Sequence, residues 1–251
     1  MLRKIATFAL LALLTGCAAQ PVQTQPTTVT TLPVTSVPTT ETTAPATTAP
    51  VTAPKAFCEV LEANGMTLQT LTQLGCNQLV TVGAEGTAAQ IALYCLEDGS
   101  WQEILQCTGY VGKNGTAEQK QEGDKCTPKG LFPVLEAFYI GLPPQTLLPS
   151  FQITKDTYWV DDPASAYYNQ RAEGTQNKDW RSAEHMSAYP DSYEYGFVIG
   201  YNTEAVPGAG SAIFFHVGSR PTAGCIAADR SAVLSILAAL DQAQTPYIII
   251  Y

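Results

Sequence analysis

Histidine is nearly absent from this chain: 251 residues contain two, His185 and His216. That leaves no room for an all-histidine metal site. Basic charge is scarce as well, with 13 Lys+Arg against 22 Asp+Glu and a net charge of −9. Nucleic-acid binding depends on neutralising phosphates with Lys and Arg, so an acidic chain with no basic run is a poor candidate for it. There is no Cys-x-x-Cys pair, which argues against a zinc ribbon or a thioredoxin motif. The N-terminal apolar run, Ile5–Leu14, is about half the ~20 residues that a membrane-spanning helix needs.

That run has a different meaning. Met1-Leu2-Arg3-Lys4 supplies a short basic region ahead of it, the pattern of a secretory signal at 1–16. It ends Leu14-Thr15-Gly16-Cys17, which resembles a bacterial lipobox, and the resemblance makes Cys17 the lipidated first residue of the mature protein. Residues 21–54 hold 13 threonines and 7 prolines with Glu41 the only charge, a composition unable to pack a core. Residues 17–54 therefore read as a lipidated cysteine and an extended Thr/Pro linker, reaching up to roughly 100 Å at ~3 Å per residue. The expected place is outside the cytoplasmic membrane, anchored by lipid to its outer face and facing the cell wall.

From Lys55 to Tyr251 the composition is globular and long enough for one domain. Leu61–Leu74 has weak helical periodicity. Short β-rich runs follow at Gln78–Val82, Gln90–Leu96, Trp101–Val111, Leu131–Ile140, Tyr195–Tyr201, Ala212–Val217 and Tyr247–Tyr251. Asp98-Gly99 and Asn114-Gly115 are tight-turn signals. Val233, Ile236, Leu237 and Leu240 recur at helical spacing behind a cap at Asp229 or Ser231. The expected fold is mostly β (α+β), with a C-terminal helix packed on it.

Six cysteines fall in this domain, and in an exported protein an even set invites disulfides. Cys95 with Cys107, on strands joined by one turn, and Cys58 with Cys76, around the first helix, are the plausible pairs. Cys126 and Cys225 remain, and Cys225 has distinctive surroundings.

Residues 209–229 read AGSAIFFHVGSRPTAGCIAAD. An apolar strand ends at His216, a loop follows, and Gly224-Cys225 opens a second apolar stretch. A strand–loop–strand return can bring the pair together. An imidazole then takes the thiol proton and the thiolate attacks a carbonyl. Gly224 allows close backbone approach, and amides around Gly224-Cys225 could steady an oxyanion. Spacing alone also allows a core histidine at a strand end beside a buried free cysteine.

Four ordered elements extend the pattern. Gln78–Val82 forms an opening strand. Gly109–Gly115 leads to Glu122-Gly123-Asp124-Lys125-Cys126-Thr127-Pro128-Lys129-Gly130-Leu131-Phe132, with its Thr-Pro-x-Gly-x-Phe element. Trp159-Val160-Asp161-Asp162-Pro163 with Tyr168-Asn169 forms an insertion, and His216…Thr222-Ala223-Gly224-Cys225 closes the series. Over about residues 72–251 the chain resembles the L,D-transpeptidase catalytic domain family, bacterial enzymes that remodel peptidoglycan with a cysteine nucleophile.

The resemblance makes Cys225 the nucleophile, His216 the general base, and Thr222, Ala223 and Gly224 the rest of the motif. It implies a β-sandwich-like catalytic domain, no metal and no cofactor. The family more often has a longer His-to-Cys gap, a Ser-His-Gly-Cys tetrad and an Arg two residues past the Cys. Here the gap is nine and Ala227 stands in the Arg position, departures shared with one secreted subgroup. Arg220 is a candidate for the missing carboxylate contact, or else a solvated loop charge. His185 and Trp159 are further candidates for substrate contact, the first otherwise a surface histidine and the second otherwise a strand-end residue. The implied reaction acts on peptidoglycan stem peptides to form 3→3 cross-links, in the service of cell-wall biogenesis and cell shape, by a protein expected to be monomeric. Alternatives are an L,D-carboxypeptidase, attachment of a protein to the wall through the same acyl-enzyme, and a wall-binding lipoprotein without turnover. An NlpC/P60-type endopeptidase would place its Cys before its His, the reverse of this order.

Overall fold

The structure, a computed structural model, describes residues 51–251. The expected signal segment, Cys17 and nearly all of the linker lie outside the described residues. Thr52, linker-like by composition, already pairs with the fold: its N–H donates to the Gly99 carbonyl at 3.0 Å and its carbonyl accepts from the Trp101 N–H at 2.9 Å.

The weak helical stretch forms two helices, α1 (Lys55–Ala63) and α2 (Leu68–Gln73). Gly65, at φ +70, ends the first, a conformation that glycine takes without the Cβ penalty. Thr67 then starts the second through a capping box with Thr70. Phe57, Leu61 and Leu71 bury against Leu79, Trp101 and Ile249 of the sheet.

Fourteen strands follow. The long ones are β1 (Gln78–Glu85), β2 (Ala88–Glu97) and β3 (Ser100–Tyr110). The short strands β4 (Thr116–Ala117) and β5 (Thr127–Pro128) pair in parallel within the next loop. Then come β6 (Gly130–Tyr139), β7 (Ser150–Gln152), β8 (Thr157–Val160), β9 (Arg171–Glu173) and β10 (Ala183–His185). The last are β11 (Tyr195–Ile199), β12 (Phe214–Val217), β13 (Ile226–Ala228) and β14 (Pro246–Ile250), with helix α3 (Arg230–Ala239) before β14. Asp98-Gly99, both at positive φ, make the two-residue hairpin that joins β2 to β3, with Glu97 opposite Ser100. Asn114-Gly115 forms a tight turn that bridges Gly112 to Gly115.

The main sheet runs β11-β12-β13-β3-β2-β1-β14-β6-β7, and β11 pairs back onto β6. The mostly β fold is thus realised as a sheet closed on itself, which leaves fewer free edges than an open sandwich. Its interior holds Val80, Ile91, Val134, Phe197, Phe215 and Ile226 with Val233, Ile236 and Leu237 of α3 and Leu240 just after it. Asp229 is the N-cap of α3 by position, without a side-chain capping bond. A separate three-stranded sheet, β10-β8-β9, comes from the 157–185 insertion.

No disulfide forms among the described cysteines. For Cys95 and Cys107 the reason is register. The β2–β3 ladder sets Cys95 opposite Gln102 and Cys107 opposite Ile91. Cys58 and Cys76 are likewise free, the buried Cys76 thiol donating to the Gln78 carbonyl at 3.2 Å.

Candidate active site

Strands β12 and β13 run parallel, with Phe215 opposite Ile226 and His216 opposite Ala227. The return expected between His216 and Cys225 is therefore a short crossover rather than a hairpin. Side chains alternate along a strand. Phe215 and Ile226 enter the closed interior, while Phe214 and Cys225 face outward into a second cluster with Phe138, Trp159, Met186 and Tyr193. The edge of the Tyr193 ring meets His216 at 5.4 Å between centroids and 88° between planes. The pair thus sits on the outer wall of the barrel, roofed by residues of the insertion and of the segment after it.

The turn into Cys225 is fixed by backbone bonds. Gly224 has φ +152, and a Cβ there would stand 3.1 Å from the Cys126 carbonyl and 3.4 Å from Lys120 Nζ. Thr222 Oγ1 donates to the Cys225 carbonyl at 2.6 Å and accepts from the Gly224 N–H at 3.0 Å. The Gly224 amide is therefore engaged inside the turn and is not free for an oxyanion, contrary to one expectation from the sequence. Buried Thr127 of the Thr-Pro-Lys-Gly run braces the same turn. Its hydroxyl lies 2.8 Å from the Gly224 carbonyl and 3.2 Å from that of Cys225, and accepts from the Gly112 N–H at 2.8 Å.

Electrostatics make both partners neutral at rest. Burial pushes the Cys225 thiol up to about 12; the nearby Glu184 adds to this, while the Phe214 N–H and the Lys120 ammonium oppose it. The S–H donates to the Ala212 carbonyl at 3.2 Å. Burial lowers the His216 pKa below 6.5. Nδ1 lies 2.8 Å from the Val217 carbonyl, and a carbonyl only accepts, so the ring proton of the neutral imidazole is on Nδ1 and Nε2 keeps its lone pair. A neutral imidazole and a protonated thiol lining one cleft suit a nucleophile that ionises only as it attacks.

The pair opens into a cleft of about 980 Å³ that carries Lys113, Lys120 and Arg220 as well as Asp161, Glu184 and Asp191. Lys120 is buried and ion-paired to Asp124 at 2.7 Å. Glu184 accepts from Tyr193 Oη at 2.5 Å, and burial raises its carboxyl to about 7. No group of three or more His, Cys, Asp and Glu among the described residues could hold a metal ion.

The family model for the L,D-transpeptidase catalytic domain (YkuD) matches residues 87–249. The chain belongs to this family. Among solved structures, this L,D-transpeptidase-family domain is similar to the helical cell shape determining protein Pgp2 from Campylobacter jejuni. The identity is 18%, over 72% of this chain and 53% of that one, at a TM-score of 0.39. It is also similar to Bd1075 of Bdellovibrio bacteriovorus, at 14% identity over 70% of this chain and 48% of that one, with a TM-score of 0.38. The chain spans about half the length of each. No curated protein matches it.

Other site residues expected in the L,D-transpeptidase domain fall in different places. Ala223 is exposed at the crest of the turn into Cys225, and Arg220 is exposed on the loop that edges the cleft. His185 lies away from the cleft: it stacks on Tyr158 at 4.5 Å, and its Nε2 lies 2.7 Å from the Lys155 carbonyl and 3.0 Å from Ser187 Oγ. Strand alternation sends the preceding residue, Glu184, into the cleft instead. Trp159 is a buried support, edge-on to Phe214 at 5.0 Å, and borders a separate groove of about 330 Å³. Ala227, in the family's Arg position, is buried, its Cβ 3.0 Å from where a Cβ on Gly218 would stand. Sequence reasoning did not find Lys120, Glu184 or Tyr193: Lys120 stands two residues before the Glu122–Phe132 run and Glu184 next to His185, while Tyr193 lies beside no motif.

Proposed function

We propose that this protein is an L,D-transpeptidase that acts on peptidoglycan stem peptides through a cysteine acyl-enzyme and forms 3→3 cross-links. The observation that carries the reading is the His216 tautomer, with Nδ1 committed to the Val217 carbonyl and Nε2 free as a base in the cleft that holds Cys225.

In this reading Nε2 takes the Cys225 proton as Sγ attacks the carbonyl of the third stem residue. The Cys225 N–H is the amide assigned to the oxyanion, since that of Gly224 is engaged by Thr222. The tetrahedral adduct collapses, the C–N bond to the terminal D-Ala breaks, and its amine leaves with the proton from the imidazolium. An acceptor amine then attacks the thioester and gives its proton to His216, and Cys225 leaves as the thiol. Arg220 is the proposed contact for the donor carboxylate. The compartment proposed is the wall-facing side of the cytoplasmic membrane, with attachment through lipid on Cys17; no described helix is long and apolar enough to cross a membrane.

The test incubates the protein and its Cys225→Ala variant with disaccharide-tetrapeptide muropeptides and resolves the products by mass spectrometry. The reading expects dimers lacking one terminal D-Ala from the wild type alone. Free tripeptides would make water the acceptor and the protein an L,D-carboxypeptidase. Products from neither folded protein would overturn catalysis in favour of wall binding.

A further inference from the structure

One side chain behind the cleft has every hydrogen-bonding position occupied. The Asn169 amide donates from Nδ2 to the Tyr201 and Asn202 carbonyls at 3.0 and 2.9 Å. Its Oδ1 accepts from Trp159 Nε1 at 3.0 Å and from the Ala212 N–H at 3.1 Å. A primary amide has two donors and two acceptor sites, so none is left over. Three separate segments are knotted at this point.

What the knot holds is strained. Ala212 has φ +53, a left-handed conformation in which an L-residue crowds its own Cβ. Asn169 has φ +54, which asparagine tolerates better than most residues. Strain of this kind persists where surrounding bonds over-determine it, and it gathers at functional sites. At Ala212 its consequence is direct: the peptide N–H meets Asn169 while the carbonyl of the same residue accepts the Cys225 S–H at 3.2 Å.

We propose that Asn169 is a positioning residue for the nucleophile, holding Ala212 in the left-handed conformation that aims its carbonyl at the Cys225 thiol. The inference rests on Cys225 being the nucleophile. Asn169 touches neither sulfur nor substrate; it acts through Ala212. The Ala212 carbonyl fixes the S–H at rest, so that the sulfur stands in one place until Nε2 of His216 takes the proton. Asn169 borders the neighbouring groove and not the catalytic cleft, so its loss acts on the chemical step and not on donor binding.

The test reads the S–H directly. The infrared S–H stretching band of Cys225 is isolated by subtracting the spectrum of Cys225→Ala from that of the full-length protein. The wild type should show the lowered frequency of a thiol bonded to a carbonyl. In Asn169→Ala the band should rise to that of an unbonded thiol, and kcat for release of D-Ala should fall about tenfold, the effect of roughly one hydrogen bond, with KM unchanged. A wild-type frequency in folded Asn169→Ala overturns the proposal. Should that variant not fold, Ala212→Val decides, because a β-branched residue resists positive φ. There the same rise supports the proposal and an unmoved band sinks it. The band needs no substrate, so a wild type without turnover would count against the stem-peptide reading and leave this test in force.

Discussion

Strands β12 and β13 carry two kinds of interior on their opposite faces. Toward the closed sheet, Phe215 stacks on Phe197 at 4.9 Å and 4° between planes, and Ile226 packs beside it. Toward the outside, His216 and Cys225 are buried but polar, 7% exposed each against 0% for Phe215 and Ile226, and roofed by Tyr193. Both faces exclude water, but for different purposes. On the inner face exclusion is itself the stabilising term. On the outer face it keeps the thiol protonated and the imidazole neutral, which costs stability and sets up reactivity. Substitutions on the two faces should therefore separate stability from activity.

The largest expected effect is on the outer face. Cys225→Ala should abolish product while the midpoint of thermal unfolding stays near wild type, as checked by muropeptide mass spectrometry and calorimetry. His216→Ala should lower kcat roughly 100- to 10,000-fold, the range for a general base. Wild-type kcat should lose activity only below pH 6.5, because burial holds the imidazole neutral to lower pH than usual. On the inner face Phe215→Ala should do the reverse and cost about 3–5 kcal/mol in denaturant unfolding. Molecules that remain folded should keep their kcat. A large kcat loss in folded Phe215→Ala would break the division between the faces.

Thr127→Val tests the seam between them. The hydroxyl joins the Gly112 amide to the Gly224 carbonyl in the turn before Cys225, and its loss leaves those two buried groups unpaired. The expected cost is about 1–3 kcal/mol, and kcat should fall with it.

How much of this could be read from the chain alone follows from what each feature depends on. That Cys225 and His216 share one cleft agrees with their motif, and with two histidines in the whole sequence the choice of partner was narrow. Seven of the fourteen strands, β1–β3, β6, β11, β12 and β14, were legible from β-rich runs and turn signals such as Asp98-Gly99. Sheet closure was not, since the β6–β11 pairing joins segments far apart in sequence with no local mark. The parallel β12–β13 ladder was hidden because its connection is shorter than the usual crossover. His185 was a candidate because histidine draws attention, but a shift of one residue along a strand reverses the face, and Glu184 has the cleft. The disulfide expectation failed on register, which local sequence did not fix for Cys95 and Cys107.

Glu184 gives the sharpest view of the outer face. Its carboxyl is raised from 4.5 to about 7, by burial first and by the nearby Asp161 charge after the Tyr193 bond is allowed for. The folded protein therefore holds a proton that the unfolded chain releases above pH 4.5. The stability this proton confers is full below pH 4.5 and is lost as pH rises to about 7. His216 has the opposite slope: its folded pKa lies below the unfolded value, so stability falls as pH drops through 6.5. The two partly cancel in the wild type, and only a difference experiment separates them. Glu184→Gln keeps an oxygen for the Tyr193 hydroxyl and removes the titration. Urea unfolding of the two proteins across pH 4 to 8 should show the variant gaining on the wild type between pH 4.5 and 7, by up to about 3 kcal/mol. At pH 8 the variant also lacks the negative charge that helps hold the Cys225 thiol up, so that thiol should be alkylated faster. Parallel stability curves would mean that Glu184 ionises normally, and the contrast between the two faces would then rest on His216 and Cys225 alone.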